Sequence, residues 1–210
     1  MILITCTQGS PEWKLVRVGI PTASEFSRLV TNTIKDGTYT LSSSLPGYAR
    51  ELAAELFAGK TLDAFDGNTW MERGKDLERE AADYFAFTQD AELQEVGFIT
   101  NDAGTCGCSP DRLVDGVSGL EIKCLKAESH VELLGYHEKH GCAPPKYTQQ
   151  VQGALLITGF KSWRQLFYHP DLPPLVITQV PDMVMHASLD KAVTQVLKER
   201  DEHLAILRRK

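Results

Sequence analysis

Two stretches in the first half of the chain place apolar residues at the spacing of an α-helix. One runs over 45–58, with Pro46 near its start and Gly59 directly after its end. Proline suits the first turn of a helix and glycine the position after the last turn. The other runs over 69–87, where apolar residues again follow the helical period. We therefore predict two helices, the second of which carries Glu78 at the edge of its apolar stripe.

The pattern then changes to short extended runs. The predicted strands span 95–100, 106–109 and 112–114, separated by turns rich in Gly and Asp. These runs predict a strand meander. The following run, 119–125, alternates between apolar and polar residues, so Glu121 and Lys123 lie on one face of the predicted strand and the apolar residues on the other.

The last third of the chain predicts two more helices, two strands and a long final helix. The helices cover 129–139 and the segment after Pro144 and Pro145, which carries Gln150. The strands cover 163–169 and 175–180, and an amphipathic helix extends from 189 to 207. This order predicts a mixed α/β core, and 210 residues suit a single domain over 1–210.

Charge narrows the possible functions. The formal net charge is -6 and the pI is near 5.5, whereas a protein that coats DNA is usually basic overall. A metal nuclease is compatible with this charge, because it concentrates carboxylates at its site and can keep a local basic lining. The side chains available for such a lining are Arg17, Arg28, Lys35, Arg112, Lys123, Lys126 and Lys146.

The beginning of the chain lacks the basic segment and the apolar run of a signal peptide, and no stretch reaches transmembrane length. The five cysteines are an odd number, which favours reduced thiols over a disulfide framework. Their spacing differs from that of a four-cysteine iron–sulfur cluster, and the six histidines form no recognisable ligand set. We expect a cytoplasmic protein with no membrane partner.

Three acidic residues and a lysine form the strongest candidate site. Asp111 follows Ser109 and Pro110, and ten residues later Glu121 and Lys123 share a strand face. The turn at 115–116 would fold these strands into a hairpin, and Glu78 would reach in from its helix. Such residues on a surface hairpin are common, but the combined order, alternation, upstream Glu and downstream Gln favour a functional site.

The predicted site implies a divalent cation. Two carboxylates about 4 Å apart repel by roughly 4 kcal/mol at an effective dielectric near 20, and one lysine does not offset three such charges. Oxygen ligands favour Mg²⁺, with Mn²⁺ as a substitute, over zinc. We expect Glu78, Asp111, Glu121 and the Ile122 carbonyl to bind metal, and cations to stabilise the attacking and leaving oxygens of a phosphodiester.

Lys123 and Gln150 complete the expected chemistry. Lys123 would orient or deprotonate the attacking water and offset negative charge that develops on phosphorus. Gln150 would hold Lys123 or the water.

Several motifs resemble the phage lambda-type exonucleases, also called viral alkaline exonucleases, of the PD-(D/E)xK nuclease superfamily. The resemblance spans nearly the whole chain, and the segments that carry it are 13–24, 74–78, 108–111, 119–124 and 147–152. It implies a restriction-endonuclease-like core with a central mixed β-sheet flanked by helices. It also implies a homotrimeric 5′→3′ exonuclease that digests one strand of linear duplex DNA and leaves a 3′ overhang for recombination. Such an enzyme would work with a single-strand annealing protein in a bacterial cell and would be encoded by a phage or a prophage.

The resemblance also assigns roles to individual residues. Glu78, Asp111, Glu121, Lys123 and Gln150 take the catalytic positions. Arg17, Thr22 and Ser24, with Ser109 as a further candidate, would hold a 5′ phosphate, for which an Arg fork and hydroxyl groups are suited. In the loop over 31–37, where relatives carry basic residues, Lys35 is the main cation for DNA contact.

Other interpretations stay open. Arg17 would otherwise be a surface charge and Ser24 a helix N-cap, and we expect Trp13 to be a buried anchor instead of a base-stacking group. The alternative functions are a PD-(D/E)xK endonuclease, which would need elements that read a DNA groove, and a catalytically silent module that binds DNA ends. Intact Asp111, Glu121 and Lys123 argue against the silent module.

Overall fold

A computed structural model describes residues 1–62 and 69–209, and the side chains of all of these except 69–76. The helices are α1 (Pro11–Val16), α2 (Leu45–Ala58), α3 (Thr69–Gln89), α4 (Ala127–His140), α5 (Thr148–Thr158) and α6 (Met183–Leu207), with 3-10 helices at Ala23–Arg28 and Pro145–Tyr147. The strands are β1 (Ile2–Ile4), β2 (Val30–Lys35), β3 (Thr38–Leu41), β4 (Leu93–Gln94), β5 (Phe98–Thr100), β6 (Gly107–Cys108), β7 (Arg112–Val114), β8 (Ser118–Cys124), β9 (Trp163–Tyr168) and β10 (Leu175–Gln179).

The central sheet has five strands in the order β10-β9-β8-β7-β4. β8 and β9 are parallel, and the other neighbours are antiparallel. Helices cover both faces of this sheet, so the predicted mixed α/β fold with a flanked central sheet is confirmed. β8, the central strand, carries the candidate acidic residues.

The predicted alternation along β8 is also confirmed. Leu120 and Ile122 share a buried cluster with Ala81, Ala82 and Phe85 of α3. Glu121 lies on the opposite face, where Gln150 of α5 contacts it. The site therefore lies where two helices, one from each side of the sheet, reach the same strand.

The single meander predicted over 95–114 is wrong. β5 and β6 pair with each other and with β1 in a separate three-stranded sheet, while β7 joins β8 in the central sheet. The chain changes sheets over 109–111, a connection that ends with Asp111. β1 supplies the partner strand of β5 from almost 100 residues earlier, a pairing that local patterns do not reveal.

The segment over 31–37 was predicted to be a loop. It is instead most of a β-hairpin formed by β2 and β3. Its turn has Asp36 at φ 51° and Gly37 at φ 75°. Two successive positive φ angles are typical of the tight turn that matches the twist of the adjoining strands. Lys35 lies at the end of this hairpin with an exposed side chain.

The largest buried cluster lies between α2, α5, α6 and the first 3-10 helix, and it includes Phe26, Leu52, Leu155 and Leu189. Its contacts fix the N-terminal segment against α5, which carries Gln150. Among the described residues, no helix has the length and apolar character needed to cross a membrane.

Candidate active site

Asp111 is held against the strand that carries the other candidate residues. Its backbone N–H donates to the Leu120 carbonyl over 3.1 Å, and its Oδ2 accepts the N–H of Ile122 over 2.6 Å. Burial, together with the nearby Glu121 and Glu78 carboxylates, raises the pKa of Asp111 well above its usual range, although the Ile122 bond opposes this shift. The position therefore has an excess of negative charge.

Glu121 is the point at which β8 and α5 meet. It is 5% exposed, and its Oε1 accepts from Lys123 Nζ over 2.7 Å and from Gln150 Nε2 over 2.6 Å. Gln150 was expected to hold Lys123 or the water. In the structure its amide donates to Glu121, the carboxylate that also accepts from Lys123. α5 approaches the face of β8 from which Glu121 projects, so the amide reaches this oxygen directly.

Lys123 carries the counter-charge on the same strand face. Burial acts to lower the pKa of its ammonium, but Glu121, which also accepts a hydrogen bond, and Asp111 together raise this pKa above its ordinary value. Lys123 is thus a charged donor at neutral pH. In this arrangement it is suited to orienting a water molecule or an anionic oxygen more than to accepting a proton.

Glu78 approaches from α3 and pairs with an arginine that the sequence did not single out as its partner. Arg112 Nη1 lies 3.4 Å from Glu78 Oε1 and also donates to the Asp111 carbonyl. Burial raises the pKa of Glu78, Arg112 opposes that shift, and Glu121 adds to it. The only sequence signal for this contact was the position of Arg112 directly after Asp111.

The donor chemistry of the three carboxylates suits a hard divalent cation, although the arrangement differs from the one predicted. In the described part of the chain, no three Asp, Glu, His or Cys side chains are placed to hold one metal ion together. Each carboxylate instead accepts a protein donor. Burial of Asp111, together with the nearby Glu121 and Glu78 carboxylates, raises its pKa, and a divalent cation such as Mg²⁺, which prefers oxygen ligands of this kind, would offset that charge.

A cavity of about 210 Å³ adjoins this acidic cluster. Its lining combines groups from the N-terminal segment with groups from the sheet and α5, and the polar members include Arg17, Thr22, Ser24, Ser109, Glu121 and Gln150. A larger cavity, of about 390 Å³, contains none of these groups. The four residues that the resemblance assigns to phosphate binding therefore line the same cavity as Glu121 and Gln150 of the acidic site.

The N-terminal side of this cavity is organised around Ser109. Its Oγ accepts from Trp13 Nε1 over 2.9 Å and from Arg17 Nη1 over 3.3 Å, and the Arg17 guanidinium stacks 3.9 Å from the Trp13 ring centroid. The Thr22 and Ser24 hydroxyls lie 3.2 Å apart. Burial lowers the pKa of Arg17, which indicates a partly desolvated cation that an anionic ligand would stabilise.

Two structural alternatives for this segment are wrong. Ser24 is not a helix N-cap: Thr22 occupies the N-cap position of the 3-10 helix, without a side-chain cap bond. Trp13 is not a core anchor, because it is only half-buried and lines the cavity. Its indole N–H donates to Ser109 Oγ, which lines the cavity, and to the Gly97 carbonyl.

The basic residues proposed as a lining separate into different environments. Arg28 pairs with Glu25 and Glu51, and Arg112 pairs with Glu78 and Glu95. Lys35 does not line the cavity of the acidic site. Arg17 lines this cavity, while Lys123 and Arg112 pair with the adjoining carboxylates of Glu121 and Glu78. The resemblance segment over 74–78 is described only for the side chains of Leu77 and Glu78.

Sequence reasoning missed several cavity residues. Gln8 lines the cavity and donates through Nε2 to the carbonyls of Val96 and Pro110, which precedes Asp111. Cys108 and Trp163 are buried cavity residues on two different strands. The missing signal has a physical cause, because these groups meet only after strands from separate sheets are assembled.

A match to a protein-family model identifies the family of this chain. Residues 12–161 match the model of the YqaJ-like viral recombinase domain. The chain belongs to this family. The YqaJ-like segment encloses Arg17, Glu78, Asp111, Lys123 and Gln150, together with the other predicted site residues.

Solved structures agree with the family. The alkaline exonuclease LHK-Exo from Laribacter hongkongensis is 26% identical and superposes with a TM-score of 0.79, covering 95% of this chain and 97% of that one. Its complex with dAMP gives the same values. The predicted resemblance to phage-type alkaline exonucleases is thereby confirmed.

A phage-related exonuclease from Haemophilus somnus 129PT has the same fold, with 16% identity, a TM-score of 0.66 and coverage of 90% of this chain and 96% of that one. Comparison with curated protein sequences gives no match.

Proposed function

We propose that this chain is a magnesium-dependent 5′→3′ exodeoxyribonuclease. It digests one strand of linear double-stranded DNA and leaves a 3′ overhang for recombination. The observation that carries this proposal is the 210 Å³ cavity, in which a desolvated Arg17 and several hydroxyl groups adjoin Glu121 and Gln150. Membership of the viral recombinase family and the likeness to an alkaline exonuclease support the same activity.

The cavity suits the 5′-phosphorylated end of a strand. An arginine fork and the Thr22, Ser24 and Ser109 hydroxyls are the groups that bind a phosphate dianion well. Trp13 holds Ser109 and stacks on Arg17, so both donors are pre-oriented before a ligand arrives. A terminal phosphate bound here would direct the following phosphodiester toward Glu121.

The acidic cluster suits hydrolysis of that phosphodiester. Glu78, Asp111 and Glu121 would exchange protein donors for Mg²⁺, or Mn²⁺ as a substitute, and hold it together with the Ile122 carbonyl. The cation would supply water activation and charge stabilisation at the attacking and leaving oxygens. Lys123, as an ammonium, orients the attacking water and offsets charge on the phosphoryl oxygens. Gln150 fixes the Glu121 carboxylate by its 2.6 Å hydrogen bond.

The biological setting rests on the family and on the resemblance. We propose a homotrimer that encloses duplex DNA, contact of Lys35 with that DNA, and cooperation with a single-strand annealing recombinase. We place the protein in the cytoplasm of a bacterial host, encoded by a phage or prophage. The family description, a viral recombinase domain, supports this setting.

The test uses three DNA substrates with the purified protein: a linear duplex with 5′ phosphates, the same duplex with 5′ hydroxyls, and a covalently closed circle. Each is incubated with Mg²⁺ and with EDTA, and each strand carries a separate label. We expect Mg²⁺-dependent loss of label from the 5′ end of the phosphorylated linear duplex, slower loss from the hydroxyl duplex, and an intact circle.

The other functions give different results. Cutting of the closed circle would identify an endonuclease. Retention of DNA ends without release of nucleotides, in a protein whose Mg²⁺ binding is verified by calorimetry, would identify a silent end-binding module. Equal digestion of both linear duplexes would contradict the proposal that the cavity binds a 5′ phosphate.

A further inference from the structure

The connection between α1 and the 3-10 helix at Ala23–Arg28 carries two of the four proposed phosphate-binding residues. Arg17 begins this connection and Thr22 ends it. The Thr22 end is fixed by the backbone, because the Pro21 carbonyl accepts from the Gly107 N–H and the Thr22 N–H donates to the Tyr48 hydroxyl. The relative placement of Arg17 and Thr22 then depends on the middle of the connection.

Gly19 occupies that middle position in a left-handed conformation, which favours glycine. Its φ is +66°, and a Cβ added there would lie 2.2 Å from Leu56 Cγ. Its N–H donates to Glu55 Oε2 of α2 over 3.0 Å, and its carbonyl accepts from Arg200 Nη1 of α6 over 2.7 Å. Both backbone groups of one residue are thus held by charged side chains from two other helices.

We propose that Arg200 and Glu55 are positioning residues for the 5′-phosphate cavity, an inference that rests on the proposed function. Neither side chain lines the cavity. By fixing Gly19 from both sides, they set the distance between Arg17 and Thr22, so that the donors converge on a phosphate without reorganisation. A binding site gains affinity when its groups are held in the bound geometry beforehand.

The contacts of Arg200 favour this role over a general role in stability. α2 and α6 already pack through apolar residues of the largest core cluster, including Leu52, Leu189 and Val196. Arg200 lies beyond that core, with its side chain 18% exposed, and it also pairs with Asp201. Removing its guanidinium therefore leaves the apolar packing of the two helices in place and releases the Gly19 carbonyl.

The test compares Arg200→Met, Arg200→Lys and the control Lys198→Met on DNA ends with a 5′ phosphate or a 5′ hydroxyl, at saturating Mg²⁺. Lys198 lies on the same helix and is 72% exposed. We expect Arg200→Met to lower kcat/KM about tenfold on phosphorylated ends, mainly through KM, which is the size of losing one charge-assisted hydrogen bond. Activity on hydroxyl ends should stay within about twofold.

Conservative changes sharpen the test. Arg200→Lys keeps an ammonium that can donate to the Gly19 carbonyl, so it should recover most of the phosphate preference. Glu55→Gln keeps an acceptor for the Gly19 N–H and should also retain the preference, whereas Glu55→Ala should lose it. If Arg200→Met fails to fold, the two Glu55 variants test the same positioning of Gly19 from the side of α2.

The outcomes separate this inference from the proposed function. A wild-type protein that ignores the 5′ group would contradict the phosphate cavity itself. A wild-type preference that Arg200→Met and Glu55→Ala both retain would overturn the positioning role alone. An equal loss on both kinds of end, with a lower melting temperature, would assign Arg200 to stability and also overturn the inference.

Discussion

Lys123 and Glu121, two residues apart on β8, form an ion pair in which the ammonium lies 2.7 Å from Oε1. Glu121 is almost fully buried, so its carboxylate needs compensation from neighbouring donors. Lys123 supplies charge and Gln150 supplies a neutral amide to the same oxygen. The ion pair therefore joins Glu121, a predicted cation ligand, to Lys123, which is predicted to orient or deprotonate the attacking water.

Lys123→Ala should abolish turnover but leave DNA-end binding in place. The ammonium is held charged by Glu121 and Asp111, and its loss removes stabilisation of the developing phosphoryl charge, which is worth about 10²–10³-fold in kcat. Single-turnover digestion of a phosphorylated duplex and a separate end-binding assay measure the two effects. The exposed Lys161→Ala serves as the control. Unchanged turnover would remove Lys123 from the mechanism.

Asp111→Asn should stabilise the protein in EDTA. The folded-state pKa of Asp111 lies above its unfolded value, so the folded protein binds more protons and loses stability as pH rises through that interval. At pH 7.5 the substitution removes this cost and keeps an oxygen that accepts from the Ile122 N–H. Urea unfolding in EDTA measures the change.

The same variant should not respond to Mg²⁺. Wild-type protein should gain thermal stability from binding the proposed cation in its folded state, and Asp111→Asn would remove the charge of one proposed ligand. Asp83→Asn, on the exposed side of α3, controls for the loss of one negative charge. An Asp111→Asn variant that is less stable than wild type in EDTA would contradict the electrostatic description of the site.

Arg17→Met and Arg28→Met should separate the two arginines of the N-terminal segment. Arg17 lines the cavity, so its loss should reduce the preference for a 5′ phosphate by about tenfold or more. Arg28 pairs with Glu25 and Glu51 and stacks on Tyr48, so its loss should lower the melting temperature and leave the preference intact. Competition between phosphorylated and hydroxyl duplexes gives the ratio directly.

His186 should make stability depend on pH. Burial lowers the pKa of this histidine, and Asp182 opposes the shift only in part. Because the folded-state pKa is below the ordinary value near 6.5, stability is full above about pH 6.5 and falls as the pH drops toward the folded-state pKa.

Urea unfolding of wild type and His186→Gln from pH 8 to pH 5.5 tests this dependence. The stability advantage of wild type over the variant should shrink by about 1.4 kcal/mol for each unit of pKa shift. His140→Gln, which removes an exposed histidine, provides the comparison. A difference between wild type and His186→Gln that is constant across this range would contradict the prediction.

Local patterns predicted the parts of the fold that local forces control. The helix over 45–58 has the predicted bounds, because its apolar period and its flanking Pro46 and Gly59 act within a few residues. The two faces of β8 were predicted because strand alternation is a property of the backbone itself. The candidate acidic residues followed from this strand and the hairpin before it.

Other contacts could not be predicted, because their partners are far apart in the chain. The split of the meander depends on β1, which pairs with β5. The partners of Glu78 and Glu121 depend on how α3 and α5 approach β8 from opposite sides. Trp13 was expected to be a buried anchor, whereas its indole N–H donates to Ser109 at the cavity.

By itself the sequence determined which groups exist and which face of each element they occupy, since helix and strand periods are set by neighbouring residues. It thereby determined the set Asp111, Glu121 and Lys123 and the mixed α/β core. Only the tertiary structure decided that Gln150 and Lys123 share one oxygen of Glu121, and that Glu55 and Arg200 hold Gly19. Apart from the Lys123–Glu121 pair within β8, these contacts join residues from separate parts of the chain, and their distances depend on the packing of the whole core.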